Sequence, residues 1–280
     1  MKHYLHSELV GRKIKVLLVG AGGTGSRMLE SLMNLHRAML ALGHPEGLHV
    51  TLLDDDRVSA ANVGRQAFYA CDVGSYKSIT LVNRANMAME FSTPWSAAVG
   101  RLNTSSQGLG NYDLVIGAVD NRAARLAILR CLERTVWGKR YWLDLGNRSA
   151  DGQVVLGEVT PSKAKKDDQW RLPHVGELFP ELIDAARDSL EDDTPSCSLA
   201  QALEKQSLFI NPAVSLCASN LLWQLFTKGE IEHHGAFVNL DQMTMMPMAI
   251  DHEVWARFGV KRDGKRAKVR QPSRKVKEQA

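Results

Sequence analysis

What this chain has little of narrows the field first. Its four cysteines stand at 71, 131, 197 and 217, and no two form a Cys-x-x-Cys pair. A cysteine-built structural zinc site needs that pairing, so no zinc is expected. Four scattered thiols also make no disulfide framework. Each reads as a small buried apolar residue or a reactive thiol, three of the four as the former. No apolar run approaches the ~20 residues of a membrane helix. The start, Met1-Lys2-His3-Tyr4, has none of the apolar core of a secretory signal. The protein is therefore expected in the cytoplasm, away from membranes. There is no internal repeat. His233-His234 comes with no matching Cys or acid spacing and reads as a surface loop pair, and the run Met243–Met248 reads as packing rather than metal binding.

What is there is an ordinary globular composition, 44% hydrophobic and 24% charged, in 280 residues. That suffices for one large α/β domain, or a domain with a lobe. Charge is unevenly placed. Residues 261–280 carry nine Lys/Arg against two acids, so a net +4 overall divides into +7 on this tail and −3 on the rest. The tail holds Pro272 and almost no large apolar residue. It reads as a solvated extension able to touch nucleic acid or an acidic partner.

Hydrophobic periodicity supplies the architecture. The unbroken apolar run Ile14–Val19 ends at glycine, as a strand buried on both faces does. Met28, Leu32, Leu35, Met39 and Leu42 then recur at helical steps, and Gly43 and Pro45 end the helix. Leu48–Leu53 returns to strand character. Residues 75–91 read as helix, Asp113–Val119 as a buried strand and Asn121–Val136 as an amphipathic helix. Tyr141–Leu145 and Gln153–Val159 complete the sheet. Beyond residue 160, the segment 163–169 reads as loop and 176–190 as helix, broken at Asp192-Asp193-Thr194-Pro195. Pro212–Phe226 is a long apolar helix, and Phe237–Asp241 with Thr244–Ile250 a closing hairpin. Alternating β and α segments predict an α/β fold, a Rossmann-like doubly wound and mostly parallel sheet.

Ligands of such sheets bind beyond the carboxyl ends of the strands. Gly20, Gly22, Gly23 and Gly25 lie there after the first long strand, where the backbone can turn tightly and approach a phosphate. The spacing also satisfies the dinucleotide fingerprint, so a nicotinamide enzyme stays open. The second strand end discriminates. Asp54 comes 29 residues after Gly25, later than the single ribose-binding acid of a nicotinamide site, and Asp55 and Asp56 follow it. Asp54 is the candidate for a ribose. Asp56 is suited to orienting cations or touching a metal. Arg65 and Lys77 can neutralise triphosphate charge, and Asn62 and Gln66 can donate to phosphate oxygens. Asp120, at the end of its strand, either caps the next helix or holds Mg²⁺.

Together Val19–Gly25, Leu53–Ser59, Asn62-Val63-Gly64-Arg65-Gln66, Lys77 and Val119-Asp120-Asn121 resemble the ThiF/MoeB superfamily, the ubiquitin-activating-enzyme-like adenylating proteins. Pro195–Ala200 and the overall layout most resemble the ThiF-type member of the plasmid-associated PRTRC gene cluster. The resemblance implies ATP and Mg²⁺, with adenylation of the C-terminal glycine of a small ubiquitin-like or sulfur-carrier protein and release of pyrophosphate. It implies that Gly22 and Gly23 contact phosphate and Asp54 the ribose. Asn62, Arg65 and Lys77 would cradle the triphosphate and Asp120 would bind Mg²⁺. Cys197 falls where relatives place a thiol that takes the acyl group as a thioester. A homodimer is implied too, with residues 1–160 as adenylation domain, 161–250 as crossover loop, helices and hairpin, and 251–280 as tail. The chain departs from the pattern in its missing zinc cysteines and in the inter-subunit arginine, for which Arg12 is the nearest counterpart. Three other readings remain open at this point: a tRNA-modifying dehydratase that activates a small carboxylate, an NAD-dependent oxidoreductase, and a degenerate nucleotide-binding module in plasmid maintenance.

Overall fold

The computed structural model describes residues 1–107, 109–135, 138, 140–161, 171–190 and 206–260. Cys197, the Asp192–Pro195 break, the 163–169 loop and the 261–280 tail lie outside the described residues. In chain order the elements are β1 (His3–Tyr4), β2 (Ile14–Val19), α1 (Gly23–Ala41), β3 (Leu48–Leu53), α2 (Lys77–Ala88), β4 (Ser96–Ala98), β5 (Leu114–Gly117), α3 (Arg122–Glu133), β6 (Arg140–Asn147) and β7 (Asp151–Val159). They continue with α4 (Val175–Leu178), α5 (Ile210–Lys228), β8 (Glu230–Ile231), β9 (His233–Asn239), β10 (Thr244–Ala249) and α6 (His252–Arg257).

One eight-stranded sheet organises the molecule, in the order β10-β9-β7-β6-β5-β2-β3-β4. The apolar run of β2 sits at its middle because it is shielded on both faces. Val16 and Leu18 are 0% exposed, and β2 pairs in parallel with β3 on one side and β5 on the other. β5–β6 and β3–β4 are parallel as well. The sheet then changes sense: β6–β7, β7–β9 and β9–β10 are antiparallel. A separate small pairing joins β1 to β8.

Helix α1 buries Met28, Leu32, Leu35 and Met39, each worth roughly 1.5–3 kcal/mol of transfer. Leu42, the last residue of the predicted stripe, is exposed just past the helix end, where Gly43 takes a φ of +90°. Helix α5 is apolar on most of its girth and packs on α1 and on the sheet.

Three sequence expectations are corrected. The segment 176–190 is no continuous helix: α4 stops at Leu178, and the 3-10 turns Pro180–Ile183 and Ala185–Leu190 follow. Pro180 is the reason, since it offers no N–H and pushes Phe179 out of the helical region, to φ −134° and ψ 73°. His233-His234 is no loop pair. It opens β9, with His234 0% exposed, its Nδ1 bonded to the Leu156 carbonyl and its Nε2 accepting from the Trp255 indole. The Met243–Met248 run packs only through Met248; Met243, Met245 and Met246 are exposed.

Candidate active site

The glycine loop closes on itself between β2 and α1. Gly20 has a φ of +96°, and a Cβ on Gly25 would lie 2.0 Å from the Gly20 carbonyl oxygen. That contact brings the loop and the first turn of α1 into van der Waals touch, and α1 starts with free N–H groups beside it. Asp54, at the end of β3, braces the loop from the neighbouring strand. Its Oδ2 accepts from the Ala21 N–H at 2.7 Å and its Oδ1 from the Asp56 N–H at 2.9 Å. Each oxygen keeps a lone pair for a further donor. Burial pushes the Asp54 carboxyl above the ordinary aspartate value, against the pull of the Ala21 N–H and of Lys77.

Lys77 begins α2 and is 6% exposed. Its Nζ sits 2.9 Å from Asp56 Oδ2, and Arg101 reaches the other Asp56 oxygen at 3.3 Å and Asp55 at 2.6 Å. Burial alone would raise the Asp56 carboxyl; the hydrogen bond and charge of Lys77, then Arg101, hold it below the ordinary value. Lys77 is thus already neutralised, as a structural ion pair would be. Arg65 is different. It is half-buried, and it donates through Nη1 to Gln206 Oε1 at 3.1 Å. Its buried Nε has no partner, and among the described residues no carboxylate pairs with it. Burial pulls its pKa down. A half-buried guanidinium that meets no carboxylate among the described residues has donors suited to an anion.

Asn62 accepts the Ser59 N–H and stabilises its own turn. Gln66 is 6% exposed and its Oε1 lacks a partner. Asp120 stays exposed at the end of β5. The cap of α3 is Asn121, whose side chain accepts from the Ala124 N–H at 2.8 Å while donating to Asp120 Oδ1 at 3.1 Å. The capping alternative for Asp120 is therefore corrected. Its accessible carboxylate suits Mg²⁺, which takes one or two carboxylates plus phosphate oxygens.

A cavity of about 670 Å³ opens over the ends of β5, β6 and β7 and the β9–β10 hairpin. Its polar lining includes Asp120, Asn147 and Gln206 together with Arg122, Arg125 and Arg148, and its apolar lining Phe179, Phe237 and Met246. The glycines, Asp54, Arg65 and Lys77 do not line it. A polar chain connects the two regions. Arg65 meets Gln206, Gln206 Nε2 meets Asn147 Oδ1 at 3.3 Å, and Asn147 Nδ2 reaches Asn211 Oδ1 at 2.7 Å and Thr24 Oγ1 at 3.1 Å. Sequence reasoning missed Asn147, Gln206 and Asn211, along with the buried Arg125–Asp144 pair at 3.0 Å, whose Arg125 lines the cavity. The only signal for Asp144 was a charge inside an apolar strand. Arg12 forks onto Asp113 at 2.8 and 2.9 Å, at the opposite end of the sheet from the glycine loop.

Fold and loop define a class: a doubly wound α/β protein with a glycine-rich turn between its first long strand and the following helix, braced by an aspartate at the end of the neighbouring strand. The ThiF family model matches residues 10–254, and the chain belongs to that family. It is 27% identical over 192 residues to ubiquitin-activating enzyme E1 1 of Triticum aestivum, covering 66% of this chain and 16% of that one. To the adenylyltransferase and sulfurtransferase UBA4 of Yarrowia lipolytica it is 32% identical over 120 residues, covering 42% and 27%. The chain thus spans about a sixth to a quarter of these curated relatives. Among solved structures, selenomethionine PaaA superposes with a TM-score of 0.56 at 16% identity, covering 85% of this chain and 73% of that one. E. coli MccB with ATP superposes at 0.52 and 13% identity, covering 85% and 64%. Among the described residues, no helix is long and apolar enough to cross a membrane.

Proposed function

We propose that this protein uses ATP to adenylate the C-terminal carboxylate of a small ubiquitin-like or sulfur-carrier protein, releasing pyrophosphate. The observation that carries the reading is Arg65, half-buried without a carboxylate partner among the described residues, joined to the glycine loop through Gln206, Asn147 and Thr24. Family membership supports it, as do the relatives named for ubiquitin activation and adenylyl transfer. MccB, a structural neighbour, was solved with ATP and also with MccA and AMPCPP.

In this mechanism the glycine-loop amides and the α1 N-terminus receive phosphate oxygens, and Asp54 accepts from the ribose. Arg65 takes up charge that grows on the phosphates as pyrophosphate leaves. Lys77 does so to the extent that Asp56 releases it, with Arg101 holding Asp56 in exchange. Asn62 fixes the turn that presents Arg65. Asp120, with an accessible carboxylate, would hold Mg²⁺, whose chemistry there is neutralisation of phosphate charge. The cavity beside Asp120 admits an extended peptide end, its carboxylate oxygen aimed at the α-phosphorus. Catalysis is then positioning and charge stabilisation, without a general base. Cys197 is assigned the thioester step that follows, and the protein is assigned as a homodimer.

ATP–pyrophosphate exchange tests the reading. Small proteins ending in Gly-Gly and encoded near this gene are added one at a time, and one of them should stimulate exchange. No exchange with any carboxylate donor, together with tight NAD binding, would refute it. Cys197→Ala should leave exchange intact and remove any reducible thioester. Light scattering at two concentrations should give the mass of two chains.

A further inference from the structure

At the opposite end of the strands from the glycine loop, three metal-binding side chains meet. Glu158 stands in the buried second half of strand β7, paired across the ladder with Tyr141 of β6, and is 1% exposed. A carboxylate so deep in a core needs a cation or several donors beside it. His3 of β1 and His6, one helical turn's spacing further on, supply two imidazoles. His6 Nε2 lies 2.6 Å from Glu158 Oε1 and His3 Nδ1 lies 3.8 Å from Glu158 Oε2. Each of the three offers one ligand atom, and all of these atoms lie within 4.8 Å of one another.

We propose that His3, His6 and Glu158 bind one Zn²⁺ ion, which pins the first residues of the chain to β7. Two histidines, one carboxylate and an open fourth position are a recurrent zinc donor set. Two atoms bound to one tetrahedral zinc at ~2.0–2.1 Å stand about 3.3 Å apart. The separations of 2.6 and 3.8 Å, measured to the two oxygens of Glu158, and the 4.8 Å within which all three ligand atoms fall lie either side of that value, so side-chain movements on the order of 1 Å seat the ion. The surrounding groups are those that orient ligands. His3 Nε2 is 2.7 Å from the Tyr141 hydroxyl, which fixes the orientation of the ring with Nδ1 on the Glu158 side. Glu158 Oε2 accepts the Leu172 N–H at 2.7 Å. The His6 ring stacks on Tyr141 with centroids 4.4 Å apart. Side-chain exposures of 10% for His3 and 19% for His6 leave an entry path and room for a water at the fourth position. Cys-x-x-Cys spacing cannot report such a site, because its donors come from distant parts of the chain.

The test uses the full chain, stripped with EDTA and titrated with Zn²⁺ alone against a chromophoric chelator. One equivalent should bind, excess Mg²⁺ should not displace it, and the melting temperature should rise with Zn²⁺. His3→Gln and His6→Gln should each weaken binding at least ~100-fold, and His233→Gln should not. Should those variants fail to fold, Co²⁺ on the wild-type chain decides. A visible ligand-field band that Zn²⁺ abolishes, without thiolate charge-transfer absorption, supports the site. No stoichiometric uptake, unchanged affinity in both folded variants, or a thiolate signature would overturn it and leave Glu158 as a hydrogen-bonded anchor only.

Discussion

Arg65 and Asp54 carry the sharpest consequences at the scale of single residues. Arg65 makes no ion pair with a described residue, so removing its charge deprives the folded chain of little. Arg65→Ala should change unfolding free energy by no more than about 1 kcal/mol. It should lower ATP–pyrophosphate exchange by roughly 10²–10³-fold, the scale of one preorganised charge-stabilising donor. Arg65→Lys should recover only part, because a point charge does not replace a fork. Equal loss of stability and exchange would reject the assignment. Asp54 gives a pH signature. Its folded pKa is raised by burial, so protonation arrives at a higher pH than for a free aspartate. An acid so shifted stabilises the fold below the unfolded value near ~3.9, and that contribution is lost as pH rises through the folded value. The ionised form is the one that accepts from a ribose. ATP affinity should therefore fall on the acid side as pH drops through the elevated Asp54 value, with the fold intact. Asp54→Asn should flatten that limb in a titration of ATP affinity against pH.

At the scale of elements, the loop between β2 and α1 separates folding from binding. A Cβ on Gly22 would meet nothing within 4 Å, whereas one on Gly25 would strike the Gly20 carbonyl. Gly22→Ala should fold with a loss of under ~1 kcal/mol, the scale of a poorer helix cap, yet lose ATP affinity if the open space is where phosphate sits. Gly25→Ala should instead cost about 2–3 kcal/mol, since a backbone carbonyl must give way. Thermal melts with and without ATP distinguish the two. The loop was legible in the sequence because its requirement is local: glycines, an apolar strand before them and a helical stripe after. The same holds for β2, β3, β5 and α1. The closing hairpin of β9 and β10 was legible too, but the antiparallel sense of β7 against β6 and β9 was not, because an apolar run looks the same whichever way its neighbour points. Phe179-Pro180 broke a predicted helix that periodicity alone extended. Asn147, Gln206 and Asn211 stayed invisible because each is an ordinary polar residue until folding brings 147 to 211. Asn62, Arg65, Gln66 and Lys77 were visible as residue types suited to phosphate. Their separate parts were not: Asn62 holds a turn, Lys77 sits in an ion pair, and Arg65 meets no carboxylate among the described residues.

For the molecule as a whole, the uneven charge sets the last expectation. The +7 of residues 261–280 faces a remainder of −3. The described fold closes before it, with Trp255 of α6 1% exposed and bonded to His234, and Val260 N–H returning to the Trp255 carbonyl. Deleting 261–280 leaves all of these interactions in place, so melting temperature and ATP–pyrophosphate exchange should both hold. Polyanion binding should not. At neutral pH the truncated chain carries net negative charge, being without nine of the 35 Lys/Arg. Binding to duplex DNA or RNA should weaken at low salt. The slope of log affinity against log salt should become shallower by about 0.9 for each B-DNA phosphate that the tail no longer neutralises. Above a few tenths molar salt the two forms should converge, since screening lengths shrink below the reach of the tail. A full-length slope that truncation leaves unchanged would place any nucleic-acid binding on the folded body instead. A fall in exchange on truncation would assign the tail to the acceptor protein, where an acidic partner surface would be steered toward the cavity by the same charge.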